Sequence, residues 1–419
     1  MQKMLTMRRT RQLVRGALVL GCALVLSRLA LRAADQPVEG QWTADLQAAT
    51  KEISLHFRSQ VGDDHYSFGT ELRPAQITGL PTGDPHFTAP NVALALQRDA
   101  GTIHMDGMFQ DGRGAGLFTF EPRAAFTADL EALGYHDAPP ARELFRLAVL
   151  DIGRAYLTSL QQLGYGAARG VSLQQAEWMR AHGVTPDYIE ALQSHGYRGV
   201  AAQDLVRARD HGVTPDYIDG LKAAGYDHLT LDTLVRARDH GVTGEYAQSL
   251  AAVGYSDVAL PAMVRARDHG LDAAYIATAN IWNDKPLGLD ELVRLRDHGV
   301  TQDYVVGLMG SGVDDQQADA LVMLRDHGVT PDYIAGLRSE GLSGLPAREL
   351  IRLRDHGVTA DYIQDLATAG LTVPAPDALV RLRDHGVTGD FVKRAKAAGY
   401  PVDSVDEVIR LRDRGALAR

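Results

Sequence analysis

The feature that most constrains this chain is a sequence repeat that returns every 29 residues over more than two hundred residues. A clear copy is LVRARDHGVTPDYIDGLKAAGY, at residues 205–226. The dipeptide His-Gly marks the same position in eight copies, at His182, His211, His240, His269, His298, His327, His356 and His385. A fixed period of this size, with no insertion or deletion, is typical of an α-solenoid.

Each copy predicts two helices. Thr214 is a good N-cap residue and Pro215 suits the first helical position, so a helix is predicted to begin there. Gly225 is typical of the left-handed residue that ends a helix. A second helix is predicted from about residue 230 to residue 240. Helices of this length are marginal alone in water, so each pair needs neighbours to bury its apolar side.

The repeat decays towards the N-terminus, where the first weak copy begins at Phe126. The solenoid is therefore predicted over residues 126–419, as about ten helical pairs, with two irregular pairs at its start. One internal copy, residues 278–286, has Asn283 where its neighbours have Gly. Because Asn tolerates the left-handed conformation, Asn283 is predicted to end its helix with a positive φ.

Residues 38–123 follow a different pattern, in which apolar and polar residues alternate with period two. Six short segments of this kind are separated by turn signals such as Asp111-Gly112, which predicts a small antiparallel meander, curled into a half-barrel or a sandwich. Trp42 is predicted to be a core aromatic at one end of the sheet. The predicted fold class is therefore α+β, a small sheet followed by a helical solenoid.

Residues 1–34 have the pattern of an export signal, with a basic start and an apolar stretch at 16–26. This stretch is too short to span a bilayer of about 30 Å, although an uncleaved membrane anchor is the alternative. Cleavage would remove Cys22, the only cysteine, and would leave a net charge of −17 instead of −10, since seven basic and no acidic residues precede Asp35. We predict a periplasmic or secreted protein without disulfides, nucleic-acid binding or a membrane span after cleavage.

The column of histidines suggests metal ligands, but its spacing argues against them. Stacked helices lie about 8–10 Å apart, whereas two ligands at about 2 Å from one metal ion lie within roughly 4 Å of each other. Each His is instead predicted to donate to the last carbonyls of its own helix. His56, His65, His86 and His104 match no ligand spacing either. The sequence contains no common catalytic or phosphate-binding motif, and we predict no metal, no cofactor and no enzymatic activity.

A column of arginines is the more promising surface. A guanidinium can bind an anionic ligand through its two-pronged donor set, but ladders of Arg and acidic residues between the copies are the simpler interpretation. The irregular copy adds Trp282 and Asp284. The candidate partner-binding residues are therefore Arg209, Arg238, Arg267, Trp282, Asp284, Arg296 and Arg325.

The unit L-x-R-x-R-D-H-G-V-T-P-D-Y-I-x-x-L-x-x-x-G-Y, at residues 205–226 and 321–342, resembles repeats of extracytoplasmic bacterial proteins. Such repeats include segments appended to sensor metallopeptidases of the BlaR type. Gly40-Gln41-Trp42 and residues 112–120 resemble the β-module that precedes those repeats. The zinc-binding helix and the membrane spans of the peptidases have no counterpart in this sequence, so the resemblance implies an exported sensing or interaction module and not a protease.

Two functions remain open. The first is an exported scaffold that binds a protein partner in the cell envelope through the surface of its helical repeats. The alternative is a protein that binds or senses a small ligand with the N-terminal β-domain. A filled sheet core would favour the scaffold, and a lined cavity inside the β-domain would favour the ligand-binding protein.

Overall fold

The structure is a computed structural model that describes residues 37–47, 52–61, 64–80, 84–283, 285–313, 317–372 and 374–416. The export signal predicted at residues 1–34 and the candidate residue Asp284 lie outside the described residues. The chain divides into two compact units, Met1–Pro215 and Asp216–Arg419. The first unit contains a β-sheet and the first helices, and the second contains further helical repeats. The predicted α+β class, a sheet followed by a helical repeat region, is confirmed.

Six antiparallel strands form one sheet. The strands are β1 (Val38–Gln47), β2 (Glu52–Val61), β3 (Asp64–Leu72), β4 (Ala89–Arg98), β5 (Gly101–Gln110) and β6 (Arg113–Pro122). Their order in the sheet is β3-β2-β1-β6-β5-β4, so two three-stranded meanders are joined along β1 and β6. This differs from the single meander that the tight turns suggest, because the longer connection after β3 carries the chain to the opposite edge of the sheet.

Aromatic side chains fill one face of the sheet. Trp42 is 1% exposed and its indole N–H donates to the carbonyl of Asp106 at 3.1 Å, which confirms it as a core residue. Phe145 comes from a helix outside the sheet, and its ring centroid lies 5.1 Å from that of Phe118 and 5.7 Å from that of Phe57. The alternating pattern of the strands thus buries one side against this helix.

Twenty helices follow the sheet in the described part of the chain. They are α1 (Ala124–Ala132), α2 (Ala141–Val149), α3 (Arg154–Gln162), α4 (Leu173–Ala181), α5 (Pro186–Ser194), α6 (Ala202–Asp210), α7 (Pro215–Ala223), α8 (Leu231–Asp239), α9 (Gly244–Ala252), α10 (Leu260–Asp268), α11 (Ala273–Trp282), α12 (Leu289–Asp297), α13 (Gln302–Met309), α14 (Ala318–Asp326), α15 (Pro331–Ser339), α16 (Ala347–Asp355), α17 (Ala360–Thr368), α18 (Pro376–Asp384), α19 (Gly389–Ala397) and α20 (Val405–Asp413). We call the odd-numbered helices A helices and the even-numbered helices B helices. None of the helices in the described ranges is both long enough and apolar enough to cross a membrane.

Local capping explains where these short helices begin and end. The Thr185 hydroxyl accepts the backbone N–H of Tyr188 at 3.2 Å at the start of α5, and Thr243 accepts that of Tyr246 at 3.1 Å at the start of α9. The glycines that follow the eight histidines have φ between 66° and 73°, as the left-handed end of a helix requires. The sequence pattern therefore predicts the starts of these A helices and the ends of these B helices correctly.

Asn283 is an exception, and its predicted positive φ is wrong. Its φ is −102° and its ψ is 144°, which is extended backbone. Helix α11 runs one residue further than its neighbours and ends at Trp282, so the chain leaves it without a left-handed turn. The Asn280 side chain replaces the usual closing bond, because its Oδ1 accepts the backbone N–H of Leu287 at 2.9 Å.

Candidate functional site

The arginines of the predicted column stack on aromatic rings. In each case the guanidinium carbon lies 4.7–5.5 Å from the centroid of a Tyr or Phe in the first turn of the A helix that directly precedes it in the chain. This distance is typical of a cation–π interaction. We call this set the stacked Arg column; its members are Arg180, Arg209, Arg238, Arg267, Arg296, Arg325, Arg354, Arg383 and Arg412.

Five candidate partner-binding residues, namely Arg209, Arg238, Arg267, Arg296 and Arg325, belong to this column. The Arg–acid ladder expected for them is wrong, because the group each one packs on is the Tyr ring of the preceding A helix. A neighbouring set of arginines makes the ion pairs instead, as in Arg294 with Asp319 at 2.6 Å and Arg381 with Asp406 at 2.5 Å. The stacked Arg column therefore joins each B helix to the A helix before it, and its contact with a partner stays a prediction.

The histidines also pair between repeats. The Nδ1 atom of His182 lies 2.9 Å from Asp210, and that of His298 lies 2.9 Å from Asp326. The same pair, 28 residues apart, recurs at His240, His269, His327, His356 and His385. The prediction that His caps the carbonyls of its own helix is therefore wrong for these residues. Stacking places the next repeat's carboxylate within reach of the ring, and a carboxylate is the stronger acceptor.

Seven of the eight Tyr residues under the stacked Arg column are held at the hydroxyl as well as at the ring, and Tyr275 is the exception. The Tyr246 hydroxyl donates to the carbonyl of Leu271 at 2.9 Å, and the Tyr304 hydroxyl donates to that of Val329 at 2.7 Å. Both acceptors directly follow the His-Gly at the end of the next B helix. Burial raises the pKa of Tyr246 to about 12, while the nearby Arg267 guanidinium acts in the opposite direction.

An exposed apolar cluster is the surface feature that the sequence reasoning missed. Ile281 at the end of α11 is 74% exposed, and Val306 and Met309 on α13 are 54% and 40% exposed. Contact between Gln302 Nε2 and Thr278 Oγ1 at 3.2 Å places the first turn of α13 beside the second half of α11. One turn further along both helices, Ile281 and Val306 therefore lie at about the same level. We call Ile281, Val306 and Met309 the apolar patch.

A comparison of repeats gives the signal that could have found this patch. Its residues stand two, five and six positions after the Tyr that starts each A helix. In other repeats those three positions hold mostly polar or small residues, such as Glu190, Gln193, Ser194, Asp219, Lys222, Gln364 and Thr368. Exposed large apolar residues therefore replace polar or small ones in this stretch of the chain.

Trp282, which was predicted to contact a partner, is buried. It is 3% exposed, so it belongs to the core of its repeat, and the neighbouring Ile281 faces solvent instead. Its indole N–H has no hydrogen-bond partner among the described residues, and the same holds for the hydroxyl of Tyr275 in the same helix. This repeat therefore lacks the Tyr hydroxyl bond of the regular pattern and adds a second buried donor without a partner.

The two kinds of Tyr allow a matched test. Tyr246→Phe should lower the free energy of unfolding by about 1–2 kcal/mol, since it leaves the Leu271 carbonyl without its donor. Tyr275→Phe should change it by less than about 0.5 kcal/mol or raise it slightly, because the Tyr275 hydroxyl is buried without a partner. Chemical denaturation followed by circular dichroism measures both. An equal loss of unfolding free energy in the two variants would show that the Tyr246–Leu271 hydrogen bond does not account for the cost of Tyr246→Phe.

Comparison of the chain with protein-family models, with curated proteins and with solved structures found no match.

Proposed function

We propose that the protein is an exported, non-catalytic scaffold that binds a protein partner through its helical repeats, with the apolar patch at the centre of the contact. The observation that carries this proposal is the joint exposure of Ile281, Val306 and Met309 on adjacent A helices. Export rests on the signal pattern of residues 1–34. The resemblance to repeats of BlaR-type sensor proteins supports the same class of function.

The energetics of the apolar patch favour protein binding. Fully burying one large aliphatic side chain contributes about 1.5–3 kcal/mol, so covering three of them can supply the anchor of an interface. The neighbouring A helices add small exposed side chains, such as Ala251, Ala252 and Ala335. Small uncharged residues cost little to desolvate, so a partner surface can approach closely around the patch.

The interior of the sheet offers less support for the alternative, a ligand held inside the β-domain. Phe145 packs against Phe57, Phe68, Phe118 and Phe120, with ring centroids 5.1–6.0 Å apart. Close packing of this kind occupies the space that a ligand in the sheet core would need. We therefore favour the repeats as the binding surface for a protein partner.

A paired substitution tests the proposal. The variant Ile281→Asp with Val306→Asp places two charges in the patch, and the control Gln364→Asp with Thr368→Asp places two charges at equivalent exposed positions of α17. Tagged wild-type and variant chains are incubated with a cell-envelope extract, crosslinked, and compared by quantitative mass spectrometry. At least one protein should be retained by the wild type and the control and be reduced at least tenfold with the patch variant. Equal retention by all three chains would refute the proposed surface.

A further inference from the structure

A second feature lies in the first compact unit, where the turn between β4 and β5 meets the helices. A pocket of about 590 Å³ opens there, within the size range of sites that bind small molecules. Its charged and aromatic lining consists of Arg98, Asp99, Asp151, Tyr156, Arg180 and Asp187. The pocket is separate in sequence from the apolar patch, so it is independent of the function proposed above.

Three of the charged groups already have partners within the protein. Arg98 Nε lies 3.1 Å from Asp151 Oδ1. Asp99 Oδ2 accepts the backbone N–H of Arg154 at 2.8 Å, and Asp99 Oδ1 lies 3.5 Å from Arg123 Nη2. These groups therefore offer little net charge to a ligand.

Arg180 and Asp187 are different. Arg180 donates from Nε to the carbonyl of Leu150 at 3.0 Å and stacks on Tyr156 at 5.5 Å, but within the described residues it forms no ion pair with a carboxylate. Asp187, in the first turn of α5, forms no ion pair with any cation described by the structure. One guanidinium and one carboxylate thus line the same pocket without compensating charges.

We propose that this pocket binds a small zwitterion, either a free amino acid or a short peptide. The Arg180 guanidinium would hold the carboxylate of the ligand, because its planar donor set matches a carboxylate. The Asp187 carboxylate would accept the ligand's ammonium group. A simple anion would leave the Asp187 carboxylate uncompensated, and a simple cation would leave the Arg180 guanidinium uncompensated, so a ligand that carries both charges fits best.

Isothermal titration calorimetry on the full chain tests this pocket. The probes are the twenty amino acids, dialanine, trialanine, acetate and methylammonium. At least one amino acid or short peptide should bind with a Kd of about 1 mM or tighter, and acetate and methylammonium should bind at least tenfold more weakly. Tighter binding of the peptides than of the amino acids would assign the ligand as a short peptide, and the reverse would assign a free amino acid.

Matched variants locate the binding. Arg180→Gln and Asp187→Asn should each weaken the best probe at least tenfold. The controls Arg354→Gln, which removes the same kind of Arg–Tyr stack, and Asp204→Asn, which alters another first-turn carboxylate, should leave its affinity unchanged. N-acetylation of the probe should weaken its binding to the wild type and have little further effect in Asp187→Asn.

Asp187 is exposed, so Asp187→Asn tests the pocket even if Arg180→Gln fails to fold. The proposal is overturned if no zwitterion binds at about 1 mM, if acetate binds as tightly as the best amino acid, or if the control variants lose affinity equally.

Discussion

Raising the pH from about 10 to about 12 should unfold the helical repeats, with release of protons from the tyrosines that lie under the stacked Arg column. In an unfolded chain these hydroxyls ionise near pH 10. Burial in the folded state raises the pKa to about 12 at Tyr188, Tyr217, Tyr246, Tyr275 and Tyr333, against the opposing effect of the Arg on each ring. Burial also raises the pKa of Tyr156, Tyr304 and Tyr362.

The sign of the effect follows from proton binding. Because the folded-state pKa is above the unfolded one, stability is unaffected below about pH 10 and falls as the pH rises towards 12. Between these two pKa values, each such Tyr lowers the free energy of unfolding by up to about 1.4 kcal/mol per pH unit. Solvent screening reduces this value to about half. Five such residues would then remove roughly 3–4 kcal/mol per pH unit, a large part of the stability of a typical domain.

The measurement is an alkaline titration in which phenolate absorbance and helical circular dichroism are followed together. Both signals should change in one steep transition between about pH 10 and 12, while the chain unfolded in guanidinium titrates gradually near pH 10. If the absorbance expected for all fifteen tyrosines rises near pH 10 with the helical signal intact, the burial of these hydroxyls is contradicted.

Gly244→Ala should be among the most destabilising small substitutions in the second unit. A Cβ built on Gly244 would overlap the carbonyl oxygen of Gly220 on the neighbouring A helix. To accept it, α7 and α9 would have to move apart, and overpacking of this kind costs about 1–3 kcal/mol.

The partner glycine is the matched control. A Cβ on Gly220 would meet only the Gly244 Cα, at 3.9 Å, which is ordinary van der Waals contact. Gly220 lies inside α7, so Gly220→Ala should stabilise the protein by about 0.5–1 kcal/mol through helix propensity. Chemical denaturation of both variants measures the difference. If the two substitutions shift the midpoint in the same direction by similar amounts, the helices are not in close contact at this point.

Contacts of the Arg-Asp-His segment explain why these three residues recur in each copy of the repeat. In a typical copy the Arg stacks on the Tyr of the preceding A helix, as Arg296 does on Tyr275. The following Asp pairs with the preceding repeat's His, as Asp297 does with His269. The His then pairs with the next repeat's Asp, as His298 does with Asp326. Three consecutive residues thus join a repeat to both of its neighbours. These contacts explain the recurrence of the motif without a bound ligand.

The sequence by itself determined the local structure of this protein. Residues such as Thr243 at the start of a helix and Gly254 after its end act through hydrogen bonds and backbone angles within a few residues. Helix positions could therefore be predicted from the chain alone. The alternation of apolar and polar residues likewise predicted the strands of the antiparallel sheet, because it depends only on which side of a strand is buried.

Only the tertiary structure decided which groups meet across repeats and which face solvent. Arg294 and Arg296 are two residues apart in one helix, yet one pairs with Asp319 and the other stacks on Tyr275. That choice depends on the register between stacked helices, which no local pattern encodes. The same register buries Trp282 and exposes Ile281, its neighbour in the chain. Adjacent residues on a helix point about 100° apart, so packing against the next repeat decided which of them is available to a partner.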